Sequence, residues 1–311
     1  MDQNAARDIQ KMNWPNREIV LENDYLVARL LPEVGFKLRE IYYKPKQFDL
    51  LYKPNEARHT QDFRKGYINP FPGMPYKSLD RSGLDDCIPS KEHCQIENVG
   101  HVHGFGDVWA RKWNVEETNL SKTSCTASVR LSAMPLYFER TVTLSGSSVF
   151  LHYRLLNETV SDQAWMWCLH DLAISTPEAS FELPGNVRYV DPKTMEPIDW
   201  DPAQVGCLAM DRDYHFFGMD PVEVGEAAIR YPAQEVLFRI RWDADEMPYL
   251  AGTVQTSSFS GDRKLSLRPT NGYLENLEKA MDMDKAASLP PDGEVTWDIE
   301  LELVSLDGDH Y

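Results

Sequence analysis

Long hydrophobic runs are missing from this chain, and no segment approaches the ~20 apolar residues that cross a bilayer as a helix. The N-terminal MDQNAARDIQKMNWPNRE has no apolar centre, so neither a secretory signal nor an anchor is expected, and the chain is read as cytoplasmic. Cysteine is scarce: Cys87, Cys94, Cys125, Cys168 and Cys207 are odd in number, widely spread and without a CxxC. That pattern argues against a disulfide framework and fits free thiols in a reducing compartment. Positive charge is short as well, 32 Lys and Arg against 49 Asp and Glu for a net charge of −17. Such a balance repels nucleic acid and anionic membranes and leaves no basic stripe to track phosphates. Helical periodicity is rare, and there is no fixed-period repeat, low-complexity tract or linker.

What is present is material for a core: 42% hydrophobic and 11% aromatic residues in 311. Period-two alternation marks strands at Glu18 to Leu21, Leu26 to Leu31 and Lys37 to Tyr43, broken at Asn23-Asp24 and Pro32 to Gly35. Strands resume in CTASVRLSA, LYFERTVTLSG and SVFLHYRLLNETV, with a turn at Gly146, and continue through the second half to EVTWDIELELVSL. Only Asn271 to Ala287 has helical character. Between Lys53 and Pro89, prolines 54, 70, 72, 75 and 89 disfavour both a helix and a central strand, so a long functional loop is expected there. The sum predicts an all-β fold, a large antiparallel β-sandwich with long rim loops and few short helices. Residues 1–311 are read as one domain, with 1–17 as an N-terminal extension.

Chemistry-bearing residues crowd the stretch from Ser82 to Val115. His101 and His103 share a strand face, and HVHGFGD loosely resembles the HxH-then-carboxylate metal motif of cupins. The match ends where that motif's glycine is Asn114, and the spacing of Cys87, His93 and Cys94 fits no usual zinc pattern, so no metal is expected. Gly100, Gly104 and Gly106 are spaced GxxxGxG with no surrounding βαβ unit, which argues against a nucleotide cofactor. In AWMWCLHDLAIS, alternation puts Trp165, Trp167 and Leu169 on one face and Met166, Cys168 and His170 on the other. A histidine ending such a strand is either a satisfied rim residue or a ligand contact on a concave face. Glu275 and Glu278, in NGYLENLEKAMD, are by composition the start of a solvated helix.

Taken in order, these segments resemble the aldose 1-epimerase, or galactose mutarotase-like, superfamily from about Glu18 to Val304. VLENDYLVARLLPEVGFKLREIYY is similar to that family's opening, in which a PxxG turn joins two strands. GLDDCIPS resembles its GfDexfPt, HVHGFGDVWARKWNV its dHGelWsrpWev, and WMWCLHDLAIS with FELPGNVRYVD its lHP and lP segments. The resemblance implies a sandwich whose concave face binds a sugar and needs no cofactor. A carboxylate there removes the anomeric proton, a histidine protonates the ring oxygen, and the opened sugar recloses as the other anomer.

Carried over by motif, His170 is the general acid, Glu275 the base with Glu278 its competitor, and His103 a contact to sugar hydroxyls. Asp85 and Asp86 would line the cleft, Trp109 would stack on a pyranose face, and Arg81 would be a further substrate contact. Three departures stand out: HDL in place of HP, two extra residues in HGFGDVW that let Phe105 take the histidine slot, and Asn276 where a proline follows the base. The implied function is interconversion of the anomers of a free aldose or related sugar. The alternatives are a non-catalytic sugar-binding or regulatory protein, or an isomerase or lyase for an unusual sugar. The expected partner is a small sugar, and a homodimer is one open arrangement.

Overall fold

Strict alternation builds the second half of the sandwich. In LYFERTVTLS, Leu136, Phe138, Val142 and Leu144 point inward while Tyr137, Glu139, Thr141 and Thr143 point out. This strand, Leu136–Ser145, turns at Gly146 (φ 55°) and pairs in register with Ser148–Asn157, from Ser145 opposite Ser148 to Leu136 opposite Asn157. The computed structural model describes residues 17–53, 82–97, 99–256 and 263–307. Among these, the hairpin lies within an 8-stranded sheet ordered Ser180–Glu182, Glu226–Tyr231, Val236–Trp242, Glu294–Ser305, Ser148–Asn157, Leu136–Ser145, Ser124–Arg130, Asn114–Val115. Every named pairing is antiparallel.

An 11-stranded sheet forms the other layer. Its path runs Ile19–Glu22, Leu26–Leu31, Lys37–Tyr43, Leu84–Cys87, Cys168–Asp171, Arg263–Thr270, Tyr249–Thr256, Tyr214–Gly218, Tyr189–Val190, with two short strands attached to its side. The two layers share one hydrophobic core. At its centre Tyr153 and Trp297 stack (5.1 Å, 9°), with Trp165 on Trp297 (5.3 Å, 24°) and Phe138 on Tyr153 (5.8 Å, 17°). Aromatic pairs of this kind contribute about 0.5–1.5 kcal/mol each beyond the area they bury.

The strand Leu84–Cys87 corrects the sequence expectation for its region, since it sits centrally between Lys37–Tyr43 and Cys168–Asp171. Its two aspartates tolerate the position because each meets a buried cation, as described below. Among the described residues helix is confined to short pieces, of which Leu277–Asp282 is the α-helical one, capped by Asn276 accepting from the Lys279 N–H at 3.0 Å. Asn276, which stands where the resembling family has proline, therefore serves as an N-cap. No helix among the described residues is long and apolar enough to cross a membrane.

Candidate active site

Register decides which side chains share a face of the larger sheet. His170 lies opposite Asp85. Leu38 opposite Leu84 extends this row to Lys37, and Cys168 opposite Thr270 extends it the other way to Arg268. Arg268 is then opposite Ala251, and Ala251 opposite Phe217. Ser266, Thr253 and His215 form the neighbouring row on the same face. The alternate positions Leu265, Leu267, Phe216, Leu84 and Leu169 fill the core, so the polar rows lie on the face turned away from the sandwich interior.

The adjacent aspartates part company for the same reason. Asp85 joins the polar row and pairs with Lys37 (Nζ to Oδ2, 2.9 Å), both groups 1% exposed, while Lys37 also donates to the Ser82 carbonyl at 2.7 Å. Asp86 points into the core, where Arg140 from the opposite sheet donates at 2.6 Å and the Trp167 indole at 3.0 Å. Burial pushes the Asp86 carboxyl up and Arg140 partly offsets it. Asp86 is thus an interior tie between the sheets, and the expectation that it lines a sugar cleft is corrected by its direction.

Arg268 organises the middle of the row. Its Nε and Nη2 clamp Glu275 at 2.6 and 3.0 Å, and its Nη1 donates to Thr253 Oγ1 at 2.8 Å and Ser266 Oγ at 3.1 Å. Lys91 adds a second cation 3.0 Å from Glu275 Oε2. The backbone turns to make this possible: Leu274 and Glu275 hold left-handed φ of 54° and 53°, a conformation costing about 1–3 kcal/mol at a non-glycine residue. The loop after Pro89 is stitched to the same turn, with Glu92 N–H donating to the Glu275 carbonyl (3.0 Å) and Leu277 N–H to Ser90 Oγ (3.2 Å). Phe105 N–H donates to the Lys91 carbonyl at 2.6 Å, and the Phe105 ring stands edge-on to His170 at 5.1 Å. Gly106 (φ 69°) lets this loop close, because a Cβ there would lie 1.9 Å from the Ile88 carbonyl oxygen.

Charge follows from these contacts. Burial pushes the His170 imidazole well below its usual range, and Arg268 and Lys91 push it further against the pull of Glu275. Burial alone would raise the Glu275 carboxyl, but Arg268 and Lys91 more than reverse this and hold it well below the usual carboxylate range. Near neutral pH the face therefore holds a neutral imidazole beside an ionised carboxylate. Asp171 replaces the proline of the HP pattern and fills the adjoining ladder instead, its Oδ1 accepting from Leu267 N–H and Ser266 Oγ at 3.0 Å each. Burial pushes its carboxyl up to about 7.

The remaining sequence candidates fall elsewhere. His103 is exposed and packs edge-on against His101 at 4.7 Å, so Phe105, not His103, occupies the place beside His170. Two extra residues in the loop account for this shift. Glu278 accepts from the Gln95 backbone N–H at 3.0 Å, so Glu275 is the glutamate on the His170 face. Trp109 is 2% exposed and offers no open face for a sugar to stack on. Arg81 lies outside the described residues. Asp107, the carboxylate of the cupin-like reading, accepts from Ser132 and Ala133 backbone N–H groups and from Ser132 Oγ. Among the described residues no group of three or more His, Cys, Asp and Glu is arranged to hold a metal ion. A cavity of about 330 Å³ opens among Glu182, Pro184, Asn186, Glu223 and Val224, at the edge of the smaller sheet and apart from His170.

Sequence reasoning did not single out Lys37, Lys91, Arg268 or His215. Alternation in KLSLRPT does put Lys264, Ser266 and Arg268 on one polar face, which was the available signal for Arg268. Nothing local marks Lys91.

No protein-family model matches the sequence, and no curated protein is similar to it. Solved structures do share its architecture, and it has the galactose mutarotase-like fold. A Synechocystis protein superposes with a TM-score of 0.74 at 14% identity, covering 93% of this chain and 96% of its own. A candidate aldose 1-epimerase from Escherichia coli gives 0.71 at 12% identity, with 93% and 99% covered. A galactose mutarotase related enzyme from Lactobacillus acidophilus gives 0.68 at 12% identity, with 94% and 99% covered. Identities this low establish the fold alone.

Proposed function

We propose that this protein binds a sugar on the polar face of the larger sheet and interconverts its anomers by proton transfer. The observation that carries the reading is the convergence of His170 and the Arg268-clamped Glu275 on one sheet face of a fold shared with structures named as epimerases and mutarotases. Ring opening needs one group to take the anomeric hydroxyl proton and another to protonate the ring oxygen, each contributing ~10²–10⁴-fold. The resting charges favour a reversal of the roles that the resemblance implies. With Glu275 locked by two cations, neutral His170 is the stronger base. Burial would lower the Lys91 ammonium but Glu275 holds it above the ordinary lysine range, so it gives its proton only to the strongly basic oxygen that develops as the ring opens. Reclosure on the other face of the aldehyde returns both protons.

A specific pH dependence follows. Because Arg268 depresses the His170 imidazole, kcat/KM for anomer exchange is expected to stay flat from pH 8 to 6 and fall only below the ordinary histidine range. Arg268→Met removes a cation and frees the Glu275 charge, and both changes raise the imidazole pKa, so the acid limb moves to higher pH. An unmoved limb would separate His170 from the titration.

The test of the reading is NMR exchange spectroscopy on a panel of monosaccharides, with acceleration of anomer exchange for at least one of them as the expected result. The tight Glu275 clamp favours a second reading, a sugar-binding protein without turnover. Saturable sugar binding with no acceleration for any sugar would establish that reading over the first.

A further inference from the structure

Cys87 and Cys168 are the one pair among the five cysteines that meets in register, directly opposite each other on neighbouring antiparallel strands. Cys94 faces Val102, Cys125 faces Val142, and Cys207 is exposed. Alternation fixes the side on which the pair lies. Leu84 and Leu169 of the same two strands belong to the shared core, whereas Asp85, Cys87, Cys168 and His170 turn to the polar face. The thiols are therefore two residues along each strand from the place where His170 stands opposite Asp85. Directly opposed residues of an antiparallel pair have Cα atoms about 4.5–5.5 Å apart, inside the range of about 4.4–6.8 Å that a disulfide spans. Closing the bond needs side-chain rotation and a small approach of the strands, with the pairing of the sheet intact.

We propose that Cys87 and Cys168 are an oxidative modification site, a dithiol that a hydroperoxide closes to a cross-strand disulfide, which switches off the polar face. One cysteine sulfur, as thiolate, attacks a peroxide oxygen, the O–O bond breaks, and a sulfenic acid and water result. The second sulfur then attacks the sulfenic sulfur, the S–S bond forms, and hydroxide leaves as water with the remaining thiol proton. The two thiols give up two electrons and two protons, and the peroxide takes them. Both cysteines are 0% exposed, which restricts the reaction to a small oxidant. Burial, then the neighbouring Cys168 thiol, push the Cys87 thiol well above its ordinary range, with Lys91 pulling the other way, so thiolate is scarce and closure is slow. The same burial suits the product, because a disulfide carries no charge to desolvate. Drawing these strands together displaces the adjoining His170–Asp85 pair, and a shift of about 1 Å in a reacting group can cost about 10²-fold.

Only the second half of the test rests on the sugar-binding reading. Full-length Cys207→Ser protein, which lacks the exposed thiol, is held with hydrogen peroxide, quenched by denaturation in iodoacetamide and mapped by mass spectrometry. The expected product is lighter by two hydrogens, with the Cys87 and Cys168 peptides joined, and dithiothreitol reverses it. Cys87→Ser and Cys168→Ser on the same background should show no such loss. Cysteines 87 and 168 that stay fully alkylated, sulfinic acid at either in place of the bond, or a bond to Cys94 or Cys125 overturns the proposal. Chemical-shift titration and exchange spectroscopy then compare the oxidised and reduced forms. Sugar affinity or anomer exchange should fall about tenfold or more on oxidation, recover with dithiothreitol, and ignore peroxide in the Cys87→Ser variant. A disulfide that leaves both unchanged overturns the switch. Sugar binding without exchange in the reduced protein would sink the epimerase reading, and the loss of affinity would still decide this one. Were the reduced protein to bind no sugar, that reading of the face would fail while the mass map still decided the cross-link.

Discussion

Replacing Arg140 with leucine should lower the free energy of unfolding by about 3–5 kcal/mol, read from urea titration at pH 7. Arg140 occupies a position on the otherwise apolar inward face of its strand and is fully buried, as is its partner Asp86. The leucine variant strands a carboxylate between the sheets, against Trp167 and with the Phe36 carbonyl also losing its donor. Adding Asp86→Asn should recover much of the loss, because the amide is neutral and still accepts from the Trp167 indole. Acid should narrow the gap as well. Without Arg140 the Asp86 carboxyl rises further above its unfolded value, so its penalty is present at neutral pH and fades as falling pH protonates it. An Arg140→Leu variant within 1 kcal/mol of the parent at pH 7 would mean that the sheets are not held by this pair.

His170→Asn should reduce kcat/KM for anomer exchange by about 10²–10⁴-fold, the usual contribution of a positioned proton acceptor. Asparagine keeps a polar group in a position 7% exposed and flanked by Phe105, so sugar affinity should change far less than turnover. Exchange spectroscopy gives the rate, and a chemical-shift titration with the same sugar gives the affinity. A loss under tenfold would assign the proton transfer to another group. A parallel loss of binding and rate would make His170 a contact and not a base.

The sandwich itself was legible because its signals are local. Leu136–Asn157 declares a hairpin through alternation and Gly146, and Leu26–Leu31 and Lys37–Tyr43 end where the sequence breaks say they should. Leu84–Cys87 was illegible because two aspartates beside a proline look wrong for a central strand until their partners are known. Those partners, Lys37 and Arg140, lie 48 and 54 residues away in the chain. Alternation likewise separated His170 from Trp167 by face, whereas Asp85 and Asp86 were both expected to line the cleft and only the strand pairing sends them to opposite faces. Nor could alternation say that Arg268 would clamp Glu275 or that Lys91 would reach the same carboxylate. Such pairings depend on register between strands and on a left-handed turn at Leu274 and Glu275, neither of which one segment encodes alone.

The central claim is that the polar face of the larger sheet is where sugar binds. A crystal soaked with the tightest-binding sugar tests it most directly. Electron density is expected with the anomeric carbon between His170 and the Lys91–Glu275 pair. Density confined to the cavity beside Glu182 and Glu223, with the His170 face empty, would contradict it.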